Sequence, residues 1–320
     1  MSRSSSPSSS LNIYTAVSAN RRKTALLVVG FVLFIGAVVE LVGLAMGLPL
    51  APASIVAGVA VAVALALSFL LYRSADSMVL SISEAKPADR QKHLDLYRAV
   101  ENLCIGAGLP MPKIYVINDG SPNAFATGRD PQHASIAVTA GLLQKLDKLE
   151  LEGVVAHELS HVGNYDTRLM MMTAVLVGFI AILVDVMLRF TWYGAGARTR
   201  YKGKGEGAGG AILLIAAIVA IVLAPVVARL IQMAISRQRE YMADASSALL
   251  TRYPEGLASA LEKIASDKDP LDVSTKGTAH LFIAEPFKGQ KSSLNSLFNT
   301  HPPIRERVAR LRAMAGQVSR

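Results

Sequence analysis

The sequence has 320 residues, of which 52% are hydrophobic and only 18% charged. This balance is unusual for a soluble protein and favours an integral membrane protein with one soluble domain of ordinary size. The net charge of +9 would suit nucleic acid, but aromatic residues make up only 6% and no nucleic-acid motif is present, so we predict no nucleic-acid partner. A single cysteine, Cys104, excludes an intramolecular disulfide and a cysteine zinc cluster.

Two apolar segments follow a short polar head. Residues 1–23 are predicted to form a flexible tail that ends in three basic residues, and residues 24–72 to form a two-helix transmembrane hairpin. The apolar stretches at 24–46 and 52–72 each have about the 20 residues that a spanning helix needs. Lysine and arginine flank the hairpin and are absent from its connecting loop. The positive-inside rule therefore places both ends of the hairpin in the cytoplasm, with the lipid bilayer as a partner.

Residues 73–168 are predicted to form the first part of a soluble domain. Helical periodicity covers 90–107, and a further helix over 151–164 carries the run HELSH. Three short strands are predicted between these helices, at 113–117, 121–127 and 135–139. The expected soluble domain therefore contains a small β-sheet beside its helices.

Two more apolar stretches, 169–188 and 208–231, predict a second membrane hairpin over residues 169–231. Their loop, 189–207, carries five basic residues and one acidic residue, which conflicts with the positive-inside rule if both helices cross the bilayer. A shallow or re-entrant hairpin is the alternative. Residues 232–320 then complete the soluble domain. The predicted fold class is α+β and mainly α-helical, with about four transmembrane helices.

The run HELSH places His157 and His161 four residues apart on a predicted helix. One helical turn brings both imidazoles to the same face, where both can bind one zinc ion. Glu158 falls on a neighbouring flank, from which it can take a proton from metal-bound water. Because so short a motif also occurs by chance on amphipathic helices, it needs support from the rest of the chain.

A catalytic zinc site of this kind needs a third protein ligand and an open position for water. Glu240 and Asp244 share one face of a later predicted helix, so Glu240 can complete a His₂Glu site. Asp244 can accept the ring N–H of a zinc-binding histidine. The alternative is a solvated acidic face beside Arg237 and Arg239. We predict one Zn²⁺ per subunit.

Several motifs together resemble a known family. HELSHVGNYD, two apolar stretches and REYMADASSA resemble the HtpX-type heat-shock membrane proteases, which share a catalytic pattern with the Ste24-type CAAX prenyl proteases. NAFATG, AVTAGLL and THPPIRERVARL fall where that family has them, so the resemblance covers nearly the whole chain. It implies a gluzincin-like zinc endopeptidase, multi-pass in the bacterial inner membrane, with its active site facing the cytoplasm. It also implies polypeptide substrates, chiefly damaged membrane proteins, in quality control and the stress response.

Further candidate residues lie outside the zinc-binding runs. Asn123, Ala124 and Phe125 lie on a predicted strand, and in proteases of this kind an edge strand holds the substrate by backbone hydrogen bonds. An ordinary buried strand is the alternative. His301 resembles the family histidine that donates to the developing oxyanion, or else is a loop histidine before a helix. Arg307 can pair with an acidic group behind a ligand or lie on a helix surface.

Three rival functions share some of these sequence features. An intramembrane protease also uses HExxH, but inside an apolar span, whereas residues 150–166 carry several charges. A CAAX-type prenyl protease would need more than four spans. A non-catalytic membrane scaffold with a structural zinc would close the site with four protein ligands, whereas the sequence offers three and a base.

Overall fold

The computed structural model is mainly helical, with one small mixed sheet. It describes residues 13–45, 48–173, 175–176, 185, 237–271, 281–284 and 302–318. Most of the predicted second membrane hairpin at 169–231 lies outside the described residues, and so does His301. The small sheet and the first pair of apolar helices are confirmed, and the four-helix membrane part stays a prediction.

Two long apolar helices, α1 (Ile13–Ala45) and α2 (Leu50–Ile82), pack against each other at the N-terminal end. Each contains a segment long and apolar enough to cross a membrane, Ser18–Leu41 in α1 and the whole of α2. Large apolar side chains cover their outer faces, and Leu33 is 69% exposed. Such a surface is unfavourable in water and suits lipid.

Both helices extend beyond the predicted spans and contact the soluble part. Helix α1 begins at Ile13, so residues 13–23 are helical where the sequence predicted a flexible tail. The cause is tertiary, because Asn20 in this segment is buried against the soluble part. Helix α2 continues past its predicted end because Ala75 packs against Met171 in an apolar cluster.

The sheet contains four strands in the order β1-β2-β4-β3. Strands β2 and β4 are parallel, and the other two pairs are antiparallel. Their bounds are Lys86–Pro87 for β1, Lys113–Ile117 for β2, Ala124–Gly128 for β3 and Ala134–Thr139 for β4. Gly128 ends β3 with a φ of +128°, and a Cβ there would lie 2.3 Å from the His133 carbonyl oxygen. Only glycine fits this turn. The strand order places β3 at an edge of the sheet.

Helices α3 to α8 form most of the rest of the described soluble part. Helix α5 lies among them at the centre and packs against α3, α6, α7 and β3. It starts with a capping box, in which Asp147 accepts from the Glu150 N–H and Glu150 accepts from the Asp147 N–H. The bounds are Leu94–Ala107 for α3, Ala140–Lys145 for α4, Lys148–Gly163 for α5, Arg237–Thr251 for α6, Pro254–Ser266 for α7 and Ile304–Val318 for α8.

Close backbone approaches fix α6 and α7 on α5. A Cβ on Gly153 would lie 2.6 Å from the Leu257 backbone nitrogen, and one on Gly256 would lie 2.6 Å from the Leu149 carbonyl oxygen. The Ser247 hydroxyl of α6 donates to the Gly153 carbonyl at 2.8 Å. These contacts hold the start of α6 opposite the second half of α5.

Candidate metal centre

Helices α5 and α6 bring three potential metal ligands together. His157 Nε2 and His161 Nε2 lie 3.2 Å apart. Glu240 places one carboxylate oxygen 3.5 Å from His161 Nε2 and the other 3.7 Å from His157 Nε2. All three residues are buried, and their ligand atoms lie within 4.8 Å of one another. The structure therefore assembles the three residues that the sequence predicted as ligands.

The spacing of these atoms fits a single metal ion. Ligand atoms at about 2.0–2.1 Å from a tetrahedral zinc lie about 3.3 Å from one another. The histidine nitrogens, 3.2 Å apart, and the two Glu240 oxygens, one 3.5 Å from His161 Nε2 and the other 3.7 Å from His157 Nε2, lie close to that value. The two Nε2 atoms face each other, an arrangement that a shared cation stabilises because both can present lone pairs.

The buried charge around the three ligands is also suited to a divalent cation. Four carboxyl groups and two guanidinium groups are buried in the cluster, which leaves two negative charges when all are ionised and both histidines are neutral, as they are when they bind a metal. Uncompensated charge is costly inside a protein, and a divalent cation would neutralise it. The carboxyl groups belong to Glu158, Asp166, Glu240 and Asp244, and the guanidinium groups to Arg239 and Arg307.

Asp244 contacts the His157 ring, and Arg307 in turn binds Asp244. Asp244 Oδ1 lies 3.0 Å from His157 Nδ1, and because an ionised carboxylate can only accept, the ring N–H donates. Nε2 of His157 is then the atom with a lone pair for a metal. Arg307 is fully buried and donates to Asp244 through Nε and Nη2, at 2.9 and 2.7 Å. Its Nη1 also lies 3.6 Å from Glu240.

Asp166 stands behind His161 in the same way. Its Oδ2 accepts from His161 Nδ1 at 3.0 Å, and its other oxygen lies 3.6 Å from Arg239 Nε. From the sequence alone, Asp166 was equally compatible with a structural cap contact and with membership of the site. The only signal was its position five residues after His161, where a carboxylate can fold back over the end of the helix.

Burial sets the protonation of the two histidines in opposite ways. Burial lowers the pKa of His157 to about 4, with Asp244 opposing the shift. Burial would also lower the pKa of His161, but Asp166 and Glu240 outweigh it and raise the pKa to about 9. His157 is therefore neutral and ready to bind a metal, whereas His161 must lose a proton first.

Glu158 lies on α5 between the two histidines and faces β3. It is 2% exposed, and burial raises the pKa of its carboxyl to about 7. The nearby Ala126 backbone N–H of β3 acts in the opposite direction and lowers the pKa. A carboxyl with a pKa near neutrality can both accept and return a proton, which general acid–base catalysis requires.

The edge of β3 is covered in part by the chain's own residues 281–284. The Ile283 N–H donates to the Ala124 carbonyl at 2.9 Å. The Asn123 amide donates to the Ala284 carbonyl at 3.1 Å, and Phe125 is buried and packs edge-on against Phe282 at 5.0 Å between ring centroids.

Of the three predicted substrate-strand residues, only Ala124 therefore turns a backbone group to the outer edge. Asn123 and Phe125 hold residues 281–284 in place. Residues 281–284 lie in a stretch, 267–293, that is rich in Lys, Ser and Gly and was predicted to be a polar loop, and the apolar run LFIA within it is the signal that it packs.

The cleft between these groups is small. Its volume is about 10 Å³, close to the minimum that one water molecule needs. Ala126, Glu158 and Ile283 lie among its walls, together with the three candidate ligands.

Comparisons with known proteins place the chain among peptidases. The profile described as Peptidase family M48 matches residues 90–315. A protease HtpX homolog of Dictyoglomus thermophilum is 44% identical over 301 residues, covering 94% of each chain. One from Ligilactobacillus salivarius is 41% identical over 303 residues, covering 94% of this chain and all of the relative. The resemblance to HtpX-type proteases is thereby confirmed. Among solved structures, S. mikatae Ste24p aligns with a TM-score of 0.43 and 19% identity, covering 77% of this chain and 58% of that one.

Proposed function

Since the chain belongs to peptidase family M48 and is a metalloprotease, we propose that it is a zinc-dependent endopeptidase with His157, His161 and Glu240 as its protein ligands. The observation that carries this assignment is the buried triangle of ligand atoms with Glu158 beside it. Three protein ligands leave a fourth position for water, which is the arrangement of a catalytic rather than a structural zinc site.

The mechanism is peptide-bond hydrolysis. A zinc ion bound at this site would acidify a water molecule and polarise the scissile carbonyl. Glu158 takes the proton of the attacking water and later passes it to the leaving nitrogen. Asp244 and Asp166 hold the Nδ1 protons of His157 and His161, so that each ring keeps Nε2 towards the metal.

Two further residues have proposed roles at this site. Arg307 keeps Asp244 ionised and aligned, because its guanidinium lies beside that carboxylate and holds the pKa of Asp244 below its usual range. His301, which lies outside the described residues, is proposed to stabilise the oxyanion, on the resemblance of THPPIRER to the family motif.

The proposed substrate is an extended stretch of polypeptide. Strand β3 is an edge strand beside Glu158, and edge strands bind extended peptides through backbone hydrogen bonds. Ala124 and Ala126 turn their backbone groups to that edge, and Ala124 is engaged there by Ile283. Damaged or misfolded membrane proteins expose such stretches close to the bilayer, and we propose them as substrates in quality control and the stress response.

The proposed location is the bacterial inner membrane, with the active site in the cytoplasm and a multi-pass anchor. Helices α1 and α2 support the first hairpin, and basic residues flank it on one side only. Residues 169–231 are proposed to add two further spans, for about four in all. Helix α5 is enclosed by soluble helices and the sheet, which favours cleavage beside the bilayer over cleavage inside it.

The test is proteolysis by the purified full-length protein in detergent or nanodiscs. A fluorogenic unfolded polypeptide serves as substrate, and the zinc content is measured before and after removal with a chelator. We expect activity to vanish with the metal and to return with Zn²⁺. Glu158→Gln should abolish cleavage while zinc stays bound, and His157→Ala should lose the metal.

Glu152→Gln, on the same helix but away from the metal cluster, is the matched control and should cleave at the parental rate. Equal rates for the parent and Glu158→Gln would rule out the proposed general base. Unchanged zinc affinity in Glu240→Ala would rule out the third ligand.

A further inference from the structure

Asn20, near the start of α1, makes a contact that links the membrane anchor to the candidate metal centre. Its side chain is only 4% exposed, although it stands beside the exposed, charged Arg21. The amide nitrogen donates to Asp166 Oδ1 at 2.7 Å and to the Asn164 carbonyl at 2.9 Å. The two amide hydrogens therefore both have acceptors in the segment that follows α5.

Asp166 uses its two oxygens in different directions. Oδ1 accepts from Asn20, and Oδ2 accepts from His161 Nδ1 at 3.0 Å. A carboxylate rotates about one bond, so holding one oxygen fixes the direction of the other. The chain Asn20–Asp166–His161 thus joins α1 to a ligand imidazole through two hydrogen bonds.

A second contact docks the same end of α1 on the same turn. Arg21 donates to the Tyr165 hydroxyl at 3.0 Å, and its guanidinium lies 4.6 Å from the centre of the Tyr165 ring. Tyr165 has a φ of +59°, a left-handed conformation that is uncommon for a residue with a side chain. This contact involves neither Asp166 nor His161. Removing it therefore tests the docking of α1 without removing the hydrogen bond that orients the Asp166 carboxylate.

We propose that Asn20 is a positioning residue for the metal centre: the membrane anchor orients Asp166 and, through it, His161. This inference rests on the proposed function, because it takes His161 as a metal ligand. The metal site is then shared between the soluble part and the juxtamembrane end of α1. Loss of the hydrogen-bond partner of a metal-binding histidine typically changes metal affinity by about 10- to 100-fold. Asn20 acts one hydrogen bond further from the metal than such a partner.

The experiment measures zinc affinity in the full-length protein by competition with a chromophoric chelator, together with the visible absorption of the Co²⁺-loaded form. Asn20→Ala should weaken zinc binding by about 3- to 10-fold and shift the Co²⁺ spectrum, since ligand orientation changes. Asn20→Leu keeps the approximate shape of the side chain and removes both donors, so it should change zinc affinity and the Co²⁺ spectrum as Asn20→Ala does. It replaces the alanine variant if that variant fails to fold. Arg21→Ala should leave affinity and spectrum at parental values.

A double-mutant cycle identifies the route of the effect. If Asn20 acts through Asp166, then Asn20→Ala costs nothing further in an Asp166→Ala background. The proposal is overturned by parental zinc affinity in Asn20→Ala and Asn20→Leu, by an equal loss in Arg21→Ala, or by a full additional loss in the Asp166→Ala background. His161→Ala is measured alongside: if it retains parental zinc affinity, the proposed function itself fails, whereas loss of zinc there with no effect at Asn20 refutes only this inference.

Discussion

Arg307 and Asp244 form a fork-shaped pair, with Nε and Nη2 of the arginine 2.9 and 2.7 Å from the two carboxylate oxygens and neither residue accessible to solvent. The same carboxylate accepts a hydrogen bond from the Nδ1–H of His157. Asp244 therefore joins a buried cation to a candidate metal ligand, and loss of either member of the Arg307–Asp244 pair leaves an unpaired charge in the interior.

Arg307→Ala should lower the free energy of unfolding by about 3–5 kcal/mol, because it strands the buried Asp244 carboxylate. Chemical denaturation of the zinc-free protein measures this change. Arg312→Ala is the control, since Arg312 also binds two carboxylates, those of Glu255 and Glu262, but in solvent. A loss at Arg312 as large as that at Arg307 would contradict the argument from burial.

Zinc binding should release a proton from His161. The pKa of His161 is about 9 and that of His157 about 4, so at pH 7 only His161 is protonated before metal binds. Apparent zinc affinity should therefore rise about tenfold per pH unit between pH 7 and 8.5, and level off above pH 9. Calorimetry in buffers of different ionisation enthalpy should count about one proton released at pH 7.

Asp166→Asn removes a charge that raises the pKa of His161. In this variant the affinity should change less steeply over the same pH interval. A flat pH profile in the parent protein would show that His161 is already neutral.

Gly153→Ala should separate α5 from α7, because its Cβ would lie 2.6 Å from the Leu257 backbone nitrogen. Backbone cannot move aside as a flexible side chain can, and we expect a loss of about 1–3 kcal/mol in unfolding free energy. Gly106→Ala, at an exposed position of α3, meets only a leucine side-chain methyl at 3.4 Å and should be neutral or slightly stabilising. Equal stability for Gly153→Ala and the parent would show that the two helices do not approach so closely.

Cleavage should require an unfolded substrate. The cleft has a volume of about 10 Å³, and the neighbouring edge strand accepts only extended backbone. A reporter domain with a stabilising ligand should therefore be cleaved in proportion to its unfolded fraction, and saturating ligand should suppress the rate. The same reporter carrying a permanently unfolding mutation should be cleaved with or without ligand. If the folded reporter is cleaved at the same rate with and without its ligand, this requirement is contradicted.

Features that depend on local periodicity were predictable from the sequence. The HELSH helix, the helix of Glu240 and the strand at 113–117 all follow from spacing of apolar residues and ligand types. What spacing could not reveal was which distant groups meet. Asn20 was assigned to a flexible tail because its neighbours are polar, yet its acceptors lie 144 and 146 residues further on.

The partners of the buried charges show the same limit. Arg307 was equally compatible with a surface position, because an arginine on an amphipathic helix is normally solvated. Its burial depends on Asp244, 63 residues earlier in the chain. Residues 281–284 were hidden in a polar stretch because four apolar residues are too few to show a period.

Residues 281–284 contact both the outer edge of β3 and Arg307. They occupy part of the strand edge that a substrate would use, and the Ile283 carbonyl accepts from Arg307 Nη1 at 3.2 Å. Displacing them would release a guanidinium hydrogen directly behind His157. If an extended substrate displaces these residues from β3, we expect substrate binding and metal binding to be coupled, and such a coupling acts equally in both directions.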